Sequence, residues 1–133
     1  MQIKAQLSNT ADGHAVHVTT AGRQQQLVVT GRAGGGSAVN GGEFLMLALA
    51  TCYCNDLYRE AARLQIELGE VEVEASAEFD GIGLAARDVR YRARVESPAS
   101  PELIEQLLRE TDAVAEVHNT LRAGAQVHRL PWT

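Results

Sequence analysis

The sequence predicts an α+β fold with a mostly antiparallel sheet. Its elements follow the order strand, strand, strand, helix, strand, strand, helix, helix, strand, without the alternating strand–helix–strand units of a parallel sheet. The chain has 133 residues, which is enough for one domain with a real core and too few for two. We therefore expect residues 1–133 to form a single domain.

Composition and charge exclude several classes of protein. Hydrophobic residues make up 45% of the chain, as in a globular protein. The net charge of −5 argues against nucleic acid as the main partner, since phosphate binding needs a basic surface. Met1–Leu7 lacks the apolar core of a signal peptide, and the apolar run Phe44–Ala50 is too short to span a bilayer. We expect a cytoplasmic protein without a membrane partner.

Three short strands are predicted at the start of the chain. Apolar residues at positions 3, 5 and 7 alternate with polar ones, which is typical of a half-buried strand. The turn at 11–13 leads to a second strand that begins with Ala15, Val16 and Val18. The turn at 21–23 leads to a third strand at 26–29, so the segment predicts an antiparallel meander. The glycine-rich loop over 31–42 lacks the lysine and the spacing of a phosphate-binding loop, and we interpret it as a flexible connection.

A long central helix is predicted from about Glu43 to Leu64. Asn40 can cap its start, and Glu43, three residues later, can reach back as in a capping box. From Phe44 to Cys54 the helix is apolar on every side, so no face suits water. A small chain has too little sheet to cover such a helix, and the sequence therefore predicts a homodimer.

The second half of the chain predicts two more strands, two helices and a last strand. Val71–Phe79 and Val89–Val95 alternate apolar and charged residues, and their outward Glu and Arg side chains can pair across a sheet. Ser100–Pro101 predicts a helix start. A second helical segment is predicted after Thr111–Asp112 and should stop at Gly124. Finally, the segment 126–130 predicts a strand.

Both cysteines lie near the middle of the central helix. Cys52 and Cys54 are about 200° apart around it and cannot form a disulfide with each other. The simplest interpretation makes both small buried hydrophobic residues. As metal ligands the pair is poor, because the thiols point apart and no nearby histidine completes a site. The histidines are scattered, which favours surface or hydrogen-bonded roles for all four: His14, His17, His118 and His128.

Two segments of the chain carry a pattern with functional meaning. The first is Asn40-x-x-Glu43, an apolar run and Ala50–Thr51–Cys52, with Asp56 four residues on. The second is Ala115–Leu121, which reads A-E-V-H-N-T-L. In this order they resemble the central helix and the C-P-V-S-N-T-L helix of the OsmC/Ohr family (osmotically inducible protein C and organic hydroperoxide resistance proteins). The resemblance implies an intertwined homodimer whose long central helices are buried between two sheets.

The same resemblance implies catalytic candidates. Peroxidases of the family use a cysteine on the central helix to attack a hydroperoxide, and a second cysteine then forms a disulfide that a dithiol reduces. An Arg and a Glu activate the first thiol. Cys52 matches the reactive cysteine, and Glu43 matches the often acidic position after the catalytic Glu. The second cysteine falls on Ala115, the catalytic Glu on Gly42 and the Arg on Ala11.

Two hypotheses therefore stay open. In the first, the protein is a weak one-cysteine peroxidase that acts on organic hydroperoxides in oxidative-stress defence, with Cys52 reduced by an external thiol. In the second, it is a non-catalytic dimer that binds a small hydrophobic molecule in its interfacial pocket. Neither hypothesis calls for a cofactor or a metal ion.

Overall fold

The computed structural model describes residues 1–132. It contains two compact units, Met1–Phe44 and the part of the chain from Leu45 onward. The elements follow the order of three strands, one helix, two strands and two helices, and both sheets are antiparallel. This confirms the predicted α+β class. The single domain stays a prediction.

The first unit contains a three-stranded antiparallel sheet. Its strands are ordered along the sheet as they are in the chain: β1 (Ile3–Asn9), β2 (His14–Thr20) and β3 (Arg23–Leu27). The third strand starts three residues earlier than predicted. Ala21 and Gly22 both have positive φ angles, 48° and 82°, and such a two-residue turn matches the twist of the flanking strands. Pairing therefore resumes at once, with Arg23 opposite Thr20.

Hydrogen bonds give the glycine-rich loop a defined turn. The Gly36 N–H donates to Asn9 Oδ1 at 3.0 Å, and the Arg32 N–H donates to the Gly36 carbonyl at 2.9 Å. Gly36 has a φ of 92°, in the left-handed region that favours glycine. The loop is therefore more than the unstructured connection that its composition suggests.

The central helix α1 (Gly41–Arg63) has nearly the predicted bounds. Its start is the predicted capping box: the Glu43 N–H donates to Asn40 Oδ1 at 2.8 Å, and the Asn40 N–H donates to Glu43 Oε1 at 3.5 Å. Within this single chain only one stripe of the helix is fully buried, while Leu47 is 57% exposed. None of the helices within residues 1–132 is both long and apolar enough to cross a bilayer.

The second unit packs helices against a two-stranded antiparallel sheet. After α1 come β4 (Val71–Glu78), β5 (Arg87–Val95), α2 (Pro101–Val114) and α3 (Glu116–Ala123). The predicted pairing of charges across this sheet is confirmed, since Glu74 accepts from Arg92 at 3.1 Å and Glu72 pairs with Arg94. Buried residues from α1, α2 and the following segments form the core: Tyr53, Leu57, Ala61, Ile66, Leu107 and Ala115.

Two predictions for the C-terminal third are wrong. Helix α2 continues through Thr111, because this buried side chain donates to the Leu107 carbonyl at 2.7 Å instead of interrupting the helix. The break lies at Ala115, whose backbone is extended. Residues 126–130 form no strand, since they pair with neither sheet of the described chain and a lone strand leaves its backbone groups unpaired. Helix α3 ends as predicted, at Gly124 with a left-handed backbone.

Candidate functional site

The Cys52 thiol lies between two carboxyl groups. Its Sγ is 3.8 Å from Asp56 Oδ2 and 3.8 Å from Glu116 Oε2. Asp56 follows Cys52 by one turn of α1, which places both side chains on the same face of the helix. Glu116 is the first residue of α3. The site is thus built by the middle of α1 and the start of α3, and the thiol is half-buried against the core.

This environment disfavours the thiolate. Burial raises the pKa of Cys52 above its ordinary value, and the negative charges of Asp56 and Glu116 raise it further. A hydrogen bond with the Val117 backbone lowers the pKa of Cys52, but by less than burial and the two charges raise it. At neutral pH Cys52 is therefore a protonated thiol that can donate to a carboxylate, rather than a thiolate held by a positive neighbour.

Asp56 is the buried member of this cluster. Its exposed fraction is 4%, and its carboxylate pairs with Arg59 at 2.9 Å. Burial raises the pKa of the Asp56 carboxyl, Arg59 lowers it, and the neighbouring Glu116 raises it again. The net rise makes Asp56 a stronger base than an ordinary aspartate. Within residues 1–132, these contacts reveal one cation near the thiol cluster, Arg59. Its guanidinium group is paired with Asp56.

Ala115 forms the junction between α2 and α3. It is completely buried, and it immediately precedes the Glu116 that contacts Cys52. The start of α3 therefore lies beside the thiol, and this is the segment on which the family resemblance implies a second cysteine. Here that position carries only a methyl group.

Glu43 and Cys54 lie elsewhere on α1. Glu43 is at the helix start, where its carboxylate accepts from the Asn40 side-chain amide at 2.6 Å. Cys54 and Cys52 are both half-buried in the single chain. Their complete burial by a second copy of the chain stays a prediction. Both cysteines are free thiols. A catalytic role for Glu43 stays a prediction.

His118 departs from the predicted surface or hydrogen-bonded role. It is only 3% exposed, and neither ring nitrogen has a hydrogen-bond partner among residues 1–132. The ring instead packs against Tyr91 and Tyr53, with ring centres 4.5 Å and 5.6 Å away. Burial lowers the pKa of His118, and the positive charge of Arg122 lowers it further, so the imidazole is neutral.

Hydrogen bonds fix the hydroxyl groups of the two tyrosines beside His118. The Tyr53 hydroxyl donates to the Leu108 carbonyl at 2.7 Å, and the Tyr91 hydroxyl donates to Asp112. Asp112 also accepts from Arg122 at 2.7 Å, and that bond lowers the pKa of the carboxyl. Burial raises the pKa of Tyr53 to about 12 and raises that of Tyr91 as well. Both hydroxyls therefore stay protonated and act as structural donors.

The thiol and the two carboxyl groups also have the chemistry of metal ligands. One potential ligand atom from each of Cys52, Asp56 and Glu116 lies within 4.8 Å of the others. Their contacts are equally those of a hydrogen-bonded thiol with two acceptors, and Asp56 is already neutralised by Arg59. We assign no metal ion to this cluster.

Part of this site was accessible to sequence reasoning. The spacing of Cys52 and Asp56 by four residues predicts a shared helix face, and the position of Glu116 next to Ala115 places it near the expected second cysteine. The burial of His118 had no comparable signal. It depends on the packing of α3 against Tyr53 and Tyr91, which are distant in sequence.

Comparison with known proteins agrees with this architecture. An OsmC-like protein from Mycoplasma pneumoniae is 17% identical and matches 91% of this chain and 89% of its own, with a TM-score of 0.61. An organic hydroperoxide resistance protein from Elizabethkingia anophelis is 18% identical and matches 93% of this chain and 90% of its own, with a TM-score of 0.62. An organic hydroperoxide resistance protein OsmC from Legionella pneumophila is 16% identical and matches 92% of this chain and 90% of its own, with a TM-score of 0.61. At such identities these matches establish the fold alone.

A search of curated proteins gives no match. The model of the family described as OsmC-like protein matches residues 34–128, which is well over half of the chain and includes Cys52, Asp56, Ala115 and Glu116. The structural matches and this family model support each other. The chain therefore belongs to the OsmC-like family.

Proposed function

We propose that this protein is a slow, one-cysteine thiol peroxidase for organic hydroperoxides, with Cys52 as its redox group. The observation that carries the proposal is the contact of the Cys52 thiol with the carboxyl oxygens of Asp56 and Glu116, each 3.8 Å from Sγ. A thiol with an adjacent base can be activated at the moment of attack even when its resting form is protonated. Two of the similar structures are organic hydroperoxide resistance proteins, and this supports the choice of substrate class.

The proposed step has a balanced chemistry. Sγ attacks the outer oxygen of the hydroperoxide, the O–O bond breaks, and an alcohol leaves while Cys52 becomes a sulfenic acid. The thiol proton passes to the carboxylate of Asp56 or Glu116 and from there to the departing alkoxide oxygen. Two equivalents of an external thiol then reduce the sulfenic acid to the thiol, with release of water and formation of the external disulfide.

The electrostatics of the site make this reaction slow. Two negative groups beside Sγ oppose the build-up of thiolate, and burial acts in the same sense. Ala115 supplies no second thiol to trap the sulfenic acid, so each turnover depends on a reductant from solution. Glu43 contributes, in this proposal, by holding the start of α1 through its bond to Asn40.

We further propose that the working protein is a homodimer. Leu47 of α1 is 57% exposed in the single chain, and Ile3 and Leu7 of the first sheet are 67% and 55% exposed. Covering large apolar side chains contributes about 1.5–3 kcal/mol each. A second copy of the chain, intertwined as the family resemblance implies, is the partner that this proposal assigns to these surfaces.

Peroxide consumption tests the proposed activity. Purified protein should slowly reduce cumene hydroperoxide in the presence of dithiothreitol, and Cys52→Ser should abolish the reaction. Cys54→Ser is the matched control and should retain it. Mass spectrometry after brief exposure to one equivalent of peroxide should find oxidation on Cys52 first and no Cys52–Cys54 disulfide. Equal rates for the two variants, or preferential oxidation of Cys54, would refute the assignment.

Binding without turnover is the second candidate function. The observation that favours it is the position of Cys52 between two carboxyl groups, which raises the pKa of the thiol instead of lowering it. If wild-type protein and Cys52→Ser both fail to consume peroxide above the uncatalysed rate, this candidate replaces the first. The protein would then be an OsmC-like dimer that holds a small, largely apolar molecule.

A further inference from the structure

A cleft in the second unit lies apart from the thiol cluster. It has a volume of about 240 Å³ and is formed by side chains of α1, β5 and α3. Leu49, Val89 and Leu121 supply apolar walls, and Tyr91 and His118 supply aromatic ones. Cys52 is not among its lining residues. Pockets for drug-sized ligands have volumes of about 300–1,000 Å³, so this cleft suits a smaller molecule.

The imidazole of His118 lines this cleft without a hydrogen-bond partner among the described residues. Its side chain lines the cleft, yet it is 3% exposed, and both ring nitrogens lack hydrogen-bond partners within the described chain. Buried polar groups are nearly always hydrogen-bonded, and those that are not call for an explanation. Both nitrogens are sealed from solvent, so a ligand that moves a covering side chain aside and places a polar atom at the inner end of the cleft would provide a partner for the imidazole.

Two guanidinium groups define the charge of the cleft. Arg122 is held in place by Asp112 at 2.7 Å and Asn119 at 3.3 Å, whereas Arg90 is largely exposed and lies 3.6 Å from its acidic neighbour Asp88. Among the described residues that line the cleft, none carries a carboxylate. Each guanidinium group is paired with one carboxylate outside this lining, and each keeps further N–H donors that can bind an acceptor group of a ligand.

We propose that this cleft binds a small carboxylic acid with an apolar body, the carboxylate toward Arg122 and His118 and the body against Leu49, Val89 and Leu121. Val89 and Leu121 are 42% and 39% exposed, so the body of such a ligand removes apolar surface from water. Arg90 is largely exposed and pairs with Asp88 at 3.6 Å, so it can exchange that partner for the bound carboxylate. The inference rests on the ligand-binding candidate function and is independent of peroxide chemistry at Cys52.

Titration of the full-length protein with octanoate tests the proposal. Calorimetry should detect octanoate binding, and octanol and octylamine should bind at least about fivefold more weakly. In ¹⁵N-labelled protein the amide shifts should concentrate at Leu49, Tyr91 and Leu121. Equal affinity for octanoate and octanol, no binding of octanoate, or shifts concentrated elsewhere would each overturn the proposal.

Matched variants separate the cleft from the rest of the surface. Arg122→Gln and His118→Phe should each weaken octanoate binding at least about fivefold, whereas Arg109→Gln, an exposed arginine of α2 outside the cleft, should leave it unchanged. Arg90→Gln removes an exposed charge and keeps the test valid if Arg122→Gln fails to fold. Cys52→Ser should bind octanoate as well as wild type does, so a failure of the peroxidase proposal does not affect this result. Unchanged binding in both cleft-charge variants would contradict the proposal.

Discussion

At the scale of single residues, the identity of the groups around Cys52 decides what the thiol can do. Thiolate chemistry is usually promoted by a positive neighbour, but here Asp56 and Glu116 contact Sγ and Arg59 is paired with Asp56. The same atoms that raise the pKa of the thiol can accept its proton during reaction. The reaction that we propose for this site is therefore slow and base-assisted, and it does not depend on a permanently activated thiolate.

Removing one of these charges should make the thiol more reactive. In Glu116→Gln the side chain keeps its shape and loses its negative charge, so the pKa of Cys52 should fall toward its ordinary value. Alkylation by iodoacetamide at pH 7.5 should speed up by roughly two- to tenfold, since Glu116 is exposed and its effect is partly screened. The pH profile of alkylation should shift to lower pH in parallel.

The control for this experiment is Glu102→Gln, an exposed glutamate in the first turn of α2. Its alkylation rate should equal that of the wild type. A Glu116→Gln protein that reacts at the wild-type rate would mean that the Glu116 carboxylate does not influence the thiol.

At the scale of elements, the start of α1 rests on the capping box. Asn40→Ala removes the oxygen that accepts from the Glu43 N–H at 2.8 Å, and loss of an N-cap costs about 1 kcal/mol. Urea denaturation should show this decrease in the free energy of unfolding. Asn55→Ala, the same exchange within the exposed part of α1, should be neutral or slightly stabilising, because Ala is the better helix former. If the two substitutions change the free energy of unfolding equally, the Asn40 side chain has no special role in capping α1.

The junction of α2 and α3 offers a second test at this scale. Ala115 precedes Glu116, whose carboxylate contacts Cys52, so a thiol at position 115 should approach Sγ closely. We expect gentle oxidation of Ala115→Cys to yield a disulfide between Cys52 and the introduced thiol, detected by peptide mapping. Peroxide turnover should rise only in part, since Ala11 and Gly42 supply no activating charge.

Ala123→Cys is the matched control, because it places a thiol at the other end of α3. It should give no disulfide with Cys52. If the Ala115→Cys protein folds normally and stays reduced under the same conditions, then Ala115 does not occupy the place of the family's second cysteine.

At the scale of the whole molecule, the apolar surface of the single chain determines the expected assembly. Light scattering should find a dimer at micromolar concentration. Leu47→Glu should weaken it, because the substitution puts a charge on a side chain that is 57% exposed in the single chain and would be covered in a dimer. Val127→Glu, at a 94% exposed position outside every helix and strand, should leave the dimer intact. A folded wild-type monomer at this concentration would contradict the dimer proposal.

Local patterns in the sequence determined most of the secondary structure. The alternation in β4 and β5, the capping box at Asn40 and Glu43, and the stop at Gly124 depend on residues a few positions apart, so they can be recognised without knowing the fold. The predictions of secondary structure were wrong where tertiary contacts overrode the local sequence signals. Thr111 is accommodated inside α2 by a bond to Leu107, and the segment 126–130 has strand-like residues but no strand in the described chain with which to pair.

The chemical environment of the site was decided by tertiary structure. The family resemblance of the sequence indicated Cys52 as the candidate reactive residue, and the spacing of four residues indicated Asp56 as its neighbour on the helix. Only the packing of α3 against α1 brought Glu116 to the thiol and buried His118 between Tyr53 and Tyr91. The pKa of a thiol and the partners of an imidazole depend on burial and on charges within a few ångströms. Residues more than sixty positions apart meet in this protein only through its fold.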